Sequence, residues 1–195
     1  MRSDKRAARR REIEEAAFTL LLEQGYAATS MLSVARRAGA SNETLYRWYG
    51  DKTGLFRSLV EANAEQVTAR LSVALETGED VDAALLSAGA QLLTMLTGQR
   101  AVALNRAAAA DQTGALGAAL AEAGRGSVRP LLARALSVLL GDVQGNEAVE
   151  TYVGLLVGDL QIRRAIGAIE PLTPAEAQER SARALALLRR LYPDP

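Results

Sequence analysis

The chain has 195 residues, 23 basic and 23 acidic side chains, and neither cysteine nor histidine. These absences exclude disulfides, Cys/His metal sites and histidine-dependent nucleophilic catalysis. No apolar run reaches the roughly 18 residues of a membrane span, and the N-terminal residues are basic instead of resembling an apolar signal segment. We therefore expect a cytoplasmic protein with no membrane partner, no metal and no cofactor.

The charges are distributed unevenly along the chain. Residues 1–60 carry 11 Lys/Arg and 7 Asp/Glu, a net charge of +4, whereas residues 61–195 carry 12 and 16, a net charge of −4. A basic end on an acidic remainder indicates that this end binds a polyanion.

Composition and apolar periodicity predict helices along nearly the whole chain, because Ala, Leu, Arg and Glu dominate and glycines and prolines interrupt at helix-like intervals. The later helices are more apolar than the early ones. We predict an all-α protein with a three-helix N-terminal module (residues 1–51) and a larger helical body (residues 52–195). The predicted helices span 5–24, 31–38, 42–49, 52–77, 81–97, 99–110, 114–123, 127–140, 146–168 and 174–192.

Two early helices are joined by a tight turn. The helix over 31–38 follows a Thr29-Ser30 cap and ends at Gly39, and only residues 39–41 separate it from the helix over 42–49. Ser41 is a favourable N-cap for that third helix. Two short amphipathic helices with this spacing predict a helix-turn-helix.

The third helix has a buried and a polar side. Leu45 and Tyr49, four positions apart, predict the buried side. The polar side chains hydrogen-bond to base edges and phosphates, so we expect this helix in the major groove of double-stranded DNA. These residues are Asn42, Glu43, Thr44, Tyr46 and Arg47.

Cations lie where they oppose a helix dipole. Lys52 follows the capping residue Asp51 at the start of the fourth helix, where an anion nearby would offset its charge. A DNA phosphate is the expected anion there and along the N-terminal arm, for which a solvated tail is the alternative. The arm cations are Arg2, Lys5, Arg6, Arg9, Arg10 and Arg11.

Residues 25–30, 34–41, 44–52 and the pair Leu55-Phe56 closely resemble, in order and spacing, the DNA-binding domain of the TetR (tetracycline-repressor) family. The resemblance covers roughly residues 10–57. It implies an all-α homodimer that is released from its operator when a small effector binds to a divergent body. Together with the residue analysis, it places the DNA contacts at Arg6, Arg9, Thr29, Ser30, Ser41, Asn42, Glu43, Thr44, Tyr46, Arg47, Trp48 and Lys52.

Three positions depart from the family pattern. Ser33 stands where an acidic residue is usual, which weakens the capping box at Ser30. Leu32 occupies a position that is usually polar. Glu43 brings a carboxylate to the reading helix, where it accepts a hydrogen bond from a cytosine amino group or simply favours the helix start.

The predicted helix over 146–168 and the last helix resemble the pair that forms the family's four-helix dimer bundle. Glycines four positions apart allow a partner helix to approach closely, although packing within one chain is the alternative. The predicted interface residues are Gly154, Gly158, Ala165, Leu185 and Leu188.

The sequence gives little information about the effector. Beyond Phe56 the only aromatic residues are Tyr152 and Tyr192, so we expect an aliphatic pocket for a small apolar molecule. Polar residues within apolar helices are candidates to orient it, although such residues more often lie at the surface or are satisfied in the core. They are Asn63, Gln66, Gln91, Asn105 and Asp159.

The favoured function is a sequence-specific transcriptional regulator, a repressor released by its effector, acting on an inverted repeat. A non-specific DNA-binding protein is one alternative, but it would not need a large acidic body. An enzyme would have to depend on carboxylates, tyrosines or the two lysines, and no catalytic residue is predicted.

Overall fold

The computed structural model describes residues 2–78 and 80–193, and at residues 2, 3, 66, 70, 125 and 142–146 only their backbone. Helices make up 85% of the chain, and the described residues contain no strand. The all-α prediction is confirmed.

Most of the helices follow the predicted ones, and a π-helical turn, Ala121–Arg125, joins the seventh helix to the eighth. In chain order they are α1 (Arg2–Ala28), α2 (Met31–Ala38), α3 (Asn42–Tyr49), α4 (Lys52–Thr77), α5 (Val81–Thr97), α6 (Gln99–Ala110), α7 (Ala115–Leu120), α8 (Gly126–Leu140), α9 (Asp142–Val157), α10 (Leu160–Ala165) and α11 (Pro174–Leu191).

The prediction of one helix over 146–168 is wrong, because the chain breaks between α9 and α10. Gly158 adopts φ 52° and ψ −128°, a conformation that ends α9. The Nε atom of Arg180 donates to the carbonyl oxygen of Leu156 at 2.5 Å, and its Nη2 atom lies 3.5 Å from that of Val157. The long-range contact with Arg180 thus satisfies carbonyl groups that a continuous helix would have paired internally.

By packing, the chain forms two compact units, and the boundaries fall inside helices. Unit 1 comprises Met1–Asn63 and Ala103–Ala123, and unit 2 comprises Ala64–Val102 and Gly124–Pro195. The N-terminal module therefore shares its compact unit with most of α6 and with α7. The predicted boundary at residue 51 divides the chain by function and not by packing, and it stays a prediction.

The core of unit 1 joins α1–α3 to the start of α4 and to α6 and α7. Its fully buried side chains include Ile13, Phe18, Leu45 and Phe56, together with Leu104 from α6. The apolar stripes predicted for the first three helices thus have a common partner surface.

The core of unit 2 is aliphatic apart from Tyr152, and α5, α9 and α11 approach closely at Gly89. A Cβ atom at Gly89 would lie 2.3 Å from Ser181 Oγ and 2.5 Å from the Tyr152 hydroxyl oxygen. These two hydroxyls donate to the carbonyl oxygens of Leu86 and Leu85 at 2.8 and 3.3 Å. The missing side chain at Gly89 is therefore what makes room for this buried polar layer.

No single helix among the described residues is both long and apolar enough to cross a membrane. The bent pair of α5 and α6 passes that test only when the two helices are taken together.

Candidate nucleic-acid interface

The first helix of the helix-turn-helix, α2, is capped at both ends. Ser30 Oγ accepts from the Ser33 amide at 3.1 Å, and Ser33 Oγ accepts from the Ser30 amide at 2.9 Å. The weakening expected from Ser33 is corrected, because its hydroxyl completes the capping box and only the negative charge of an acid is missing. Gly39 then ends α2 in the left-handed conformation, at φ 60°.

The helix α3 presents polar side chains away from the core of unit 1. Leu45 and Tyr49 are buried. Ser41 Oγ accepts from the Thr44 amide at 3.1 Å, and its hydroxyl oxygen lies 2.8 Å from that of Thr44, so both hydroxyls take part in the helix cap. Trp48 is half-buried. The exposed residues are Asn42, Glu43, Tyr46 and Arg47.

The basic arm is helical and continuous with α1. Arg9 Nη2 donates to the Gly39 carbonyl oxygen at 2.6 Å, while its Nη1 atom pairs with Glu12. The Arg6 guanidinium lies 5.6 Å from the Trp48 ring centroid, within the range of a cation–π contact. Both predicted arm residues therefore connect α1 to the helix-turn-helix.

A buried carboxylate joins α1 to α4. Glu14 is only 7% exposed; its Oε1 atom accepts from Arg10 Nε at 2.9 Å and from the Ser58 hydroxyl. Arg10 Nη2 also donates to Ser58 Oγ at 3.1 Å and lies 3.7 Å from Glu61 Oε2. The Arg10 guanidinium is thus engaged within the chain.

The same network borders the reading helix. The Arg10 guanidinium lies 5.9 Å from the Tyr49 ring centroid. Burial, together with the negative charge of Glu14, raises the pKa of Tyr49 to about 12. Because Arg10 of this network contacts Tyr49 on the buried side of α3, the Glu14 network helps to set the position of the exposed side of α3.

The Lys52 ammonium has partners inside unit 1. It lies 4.0 Å from the Tyr26 ring centroid and donates to the Ala27 carbonyl oxygen at 3.3 Å. Burial lowers the pKa of Lys52. The Tyr26 ring and the Ala27 carbonyl oxygen thus offset the charge of Lys52, for which the sequence analysis expected a DNA phosphate alone.

The two predicted phosphate contacts at the start of α2 differ in accessibility. Thr29 is buried, and its hydroxyl donates to the Gly25 carbonyl oxygen at 2.8 Å. Ser30 is exposed at the N-terminus of α2, where free amides attract anions. Of the pair, Ser30 is the one that a ligand can reach.

Sequence reasoning did not assign a role to Glu14 or Ser58, and it omitted Arg36 from the DNA contacts. The spacing of Arg10 and Glu14, four positions apart on α1, was the available signal for the network; Ser58 is distant in sequence. Arg36 is exposed on α2 and makes no ion pair with a described residue. The same holds for Lys5, Arg11 and Arg47.

The predicted pocket residues are not gathered in one unit. Asn63 and Asn105 belong to unit 1 and are half-buried, whereas Gln91 and Asp159 are exposed in unit 2. Gln91 Nε2 lies 3.4 Å from Ser87 Oγ, and Asp159 lies 3.8 Å from Arg163. The side chain of Gln66 lies outside the described residues.

The predicted interface residues divide between surface and core. Gly154 is exposed and Ala165 is half-buried, but Leu185 and Leu188 are buried in the core of unit 2. Leu188 has no exposed surface to offer a partner. The exposed Gly158 ends α9 at the break described above.

Comparison with known proteins places this geometry in a class. The two capped helices with their exposed polar face define a helix-turn-helix protein, and residues 13–59 match the model for bacterial regulatory proteins of the tetR family. The N-terminal module is thus similar to the DNA-binding domain of that family, and the chain has the all-α fold of TetR-type regulators. No curated protein matches it by sequence.

Solved structures share the fold over nearly the full chain. A TetR-family regulator from Mesorhizobium loti MAFF303099 is 24% identical, with a TM-score of 0.75 over 95% of this chain and 97% of that one. A TetR regulator from Agrobacterium tumefaciens is 26% identical, with a TM-score of 0.70 over 94% of both chains. The flavonoid-responsive regulator FrrA is 25% identical, with a TM-score of 0.62 over 97% of this chain and all of that one (100%).

We predict that Glu14→Leu destabilises the protein by about 1–3 kcal/mol, because Ser58 and Arg10 lose a buried acceptor. Glu14→Gln keeps a neutral acceptor and should lose less. Urea denaturation measures both, with Glu65→Leu as the control, because Glu65 is an exposed acid on α4. Equal stabilities of Glu14→Leu and Glu65→Leu would show that the network contributes nothing.

Proposed function

We propose that this protein is a sequence-specific regulator that binds double-stranded operator DNA through α2 and α3. The observation that carries the proposal is the exposed side of α3, whose residues Asn42, Glu43, Tyr46 and Arg47 form no hydrogen bond or ion pair with the described side chains. A helix of this size fits the major groove, where such groups read base edges. Function as a repressor is part of the proposal.

The cations of unit 1 support a division of labour. Arg6, Arg9 and Lys52 contact other parts of the unit through one side of their charged groups, which fixes where their remaining N–H groups point. Lys5, Arg11, Arg36 and Arg47 are exposed and make no ion pair with the residues described here. We infer that both groups of cations bind phosphates. The side chains of the first group are already ordered in the free protein, whereas those of the second group become ordered on binding DNA.

We further propose that the protein acts as a homodimer on an inverted repeat. Exposed residues follow one another along α9, the break after it and α10: Gly154, Gly158, Ile162, and Ile166 at the end of α10. Ile162 is 68% exposed and Ile166 73%. On α11, which packs against α9, Ala182 and Ala186 are exposed too. Small residues permit close helix approach, and large exposed apolar ones favour burial by a partner. A second copy of the chain would cover both the small residues and the exposed isoleucines.

The proposed effector is a small apolar molecule with an aliphatic body. In support, the buried hydrophobic side chains of unit 2 are alanine, valine and leucine, with Tyr152 as the aromatic exception among the described core residues. Such a surface offers dispersion contacts and little stacking. FrrA is named for its response to flavonoids, so a planar aromatic effector is the second candidate. We also expect the protein to act in the cytoplasm.

A non-specific DNA-binding protein and an enzyme are the alternatives. The matched family is regulatory and not enzymatic. Non-specific binding needs phosphate contacts alone and leaves the uncharged Asn42 and Tyr46 on the outer side of α3 without a role. Comparing specific with scrambled duplexes separates these possibilities.

We predict that Lys52→Ala flattens the slope of log affinity against log salt by roughly 2, since each lost phosphate contact contributes about 0.9 and a dimer has two such contacts. Asn42→Ala should leave the slope unchanged and lower discrimination by about 1–3 kcal/mol at particular base pairs. Fluorescence anisotropy across a salt series on specific and scrambled duplexes measures both effects.

The exposed Arg129, ion-paired with Glu150 in unit 2, provides the control as Arg129→Ala. Because Lys52 also contacts Tyr26, the folded fraction of each variant is checked by circular dichroism. A change of base preference in Lys52→Ala with none in Asn42→Ala would place another surface against DNA. Equal affinity of the unmodified protein for specific and scrambled duplexes would favour the non-specific alternative.

We predict that Gly154→Glu abolishes the dimer while leaving the protomer folded. Gly154 is helical and exposed, and a Cβ atom there meets nothing within 4 Å. Gly158 is a poorer site for this test, because its φ of 52° disfavours any other residue and a Cβ atom would lie 3.0 Å from Arg180. Light scattering should give the monomer mass, and specific DNA binding should be lost with it.

The matched control is Ala109→Glu, which adds the same charge at an exposed position of α6. It should keep the dimer mass. If Gly154→Glu also keeps that mass, the proposed surface of α9–α11 is not the interface.

We predict that a small aliphatic ligand weakens operator binding by about 5- to 150-fold, the usual range of allosteric coupling, and raises the melting temperature of the free protein. A panel of aliphatic ligands and flavonoids, titrated into the complex with labelled operator, measures the effect. Release by flavonoids with inert aliphatic ligands would replace the aliphatic effector with a planar aromatic one.

A further inference from the structure

The residue at the centre of the exposed side of α3 is an acid. Glu43 and Arg47 each lie two positions from the buried Leu45, and two positions on an α-helix correspond to a rotation of roughly 200°. Both side chains therefore point away from the core of unit 1, on successive turns. Asn42 and Tyr46 flank them and are exposed as well.

Glu43 is not explained by contacts within the chain. Its position four residues before Arg47 suits an ion pair on one helix face, but no oxygen–nitrogen pair between them is within salt-bridge distance, and Glu43 has no other partner among the described residues. The N-terminus of α3 already has its cap in Ser41. An additional acid there still favours the helix dipole, which is an effect on stability alone.

A carboxylate on a DNA-reading surface is selective because most of that surface repels it. It accepts hydrogen bonds and donates none, and phosphates share its charge. In the major groove guanine presents two acceptors, thymine presents an acceptor and a methyl group, and adenine presents an acceptor beside its amino donor. Cytosine alone presents its N4 amino donor without an acceptor on the same edge.

We propose that Glu43 is a specificity-determining residue that accepts a hydrogen bond from the N4 amino group of one cytosine in each operator half-site. The inference rests on the proposed function, since it assumes that α3 lies in the major groove. Arg47, on the next turn, offsets part of the repulsion between the carboxylate and the phosphates. Glu43 thus gives little to affinity and excludes the other bases at its position.

The test uses the full-length dimeric protein and selection of preferred sites from random duplexes. The unmodified protein should select an invariant C·G pair in each half-site. Replacing that cytosine by any other base should weaken binding by about 5- to 150-fold. Glu43→Ala should remove the preference at that position only and raise affinity for scrambled DNA. Glu43→Gln should shift the preference towards adenine, because an amide pairs with both the N6 and N7 atoms.

The control is Glu65→Gln, which removes one exposed negative charge from α4 outside the helix-turn-helix. It should leave the selected sequence unchanged. If the Glu43 variants select the same sequence as the unmodified protein, the inference is wrong and Glu43 acts only on helix stability. If the unmodified protein enriches no sequence, the proposed DNA-binding function itself fails, and the inference fails with it.

Discussion

The buried carboxylate of Glu14 links α1 to α4 in the core of unit 1. An ionised group in an apolar core is strongly unfavourable unless its acceptor sites are used. The hydroxyl of Ser58 and the guanidinium of Arg10 provide those donors. Both must stay in place, so α1 and α4 are held in one relative register. Apolar contacts alone would tolerate small shifts of that register, because they are not directional.

The position of the reading helix depends on this register. Tyr49, on the buried side of α3, lies beside the Arg10 guanidinium, and Leu45 fills the adjoining core. Arg6 and Arg9 add contacts to Trp48 and to the turn at Gly39. A surface that reads bases needs its side chains held within a fraction of an ångström. Arg6 and Arg9, two of the cations that hold phosphates in the proposal, thus also orient α3.

The packing of unit 2 depends on small residues and on buried hydroxyl groups. Its helices meet around small residues, with Gly89 under the hydroxyls of Tyr152 and Ser181, and the hydroxyls are satisfied by carbonyl groups of α5. Arg180 stabilises the break between α9 and α10. The break leaves Ile162 and Ile166 exposed. A continuous helix would have placed these side chains elsewhere, so the proposed interface depends on where α9 ends.

The sequence by itself determined most of the helices, the tight turn and the buried side of α3. These depend on local periodicity, on capping serines and on Gly39, which act within a few residues. The family resemblance rested on the same local signals. The apolar periodicity of the third helix also predicted its exposed polar residues, because the side of a helix opposite an apolar stripe faces solvent in any tertiary structure. These residues are Asn42, Glu43, Tyr46 and Arg47.

Only the tertiary structure decided which of the remaining residues are available. Thr29 and Ser30 are adjacent, yet one is buried and the other exposed, and Leu185 and Leu188 belong to a core that their periodicity could equally have left for a partner. The pairing of Glu14 with Ser58 and the capping of α9 by Arg180 join residues far apart in the chain. Such contacts depend on how helices pack, and the apolar periodicity of one helix does not indicate which other helix will pack against it.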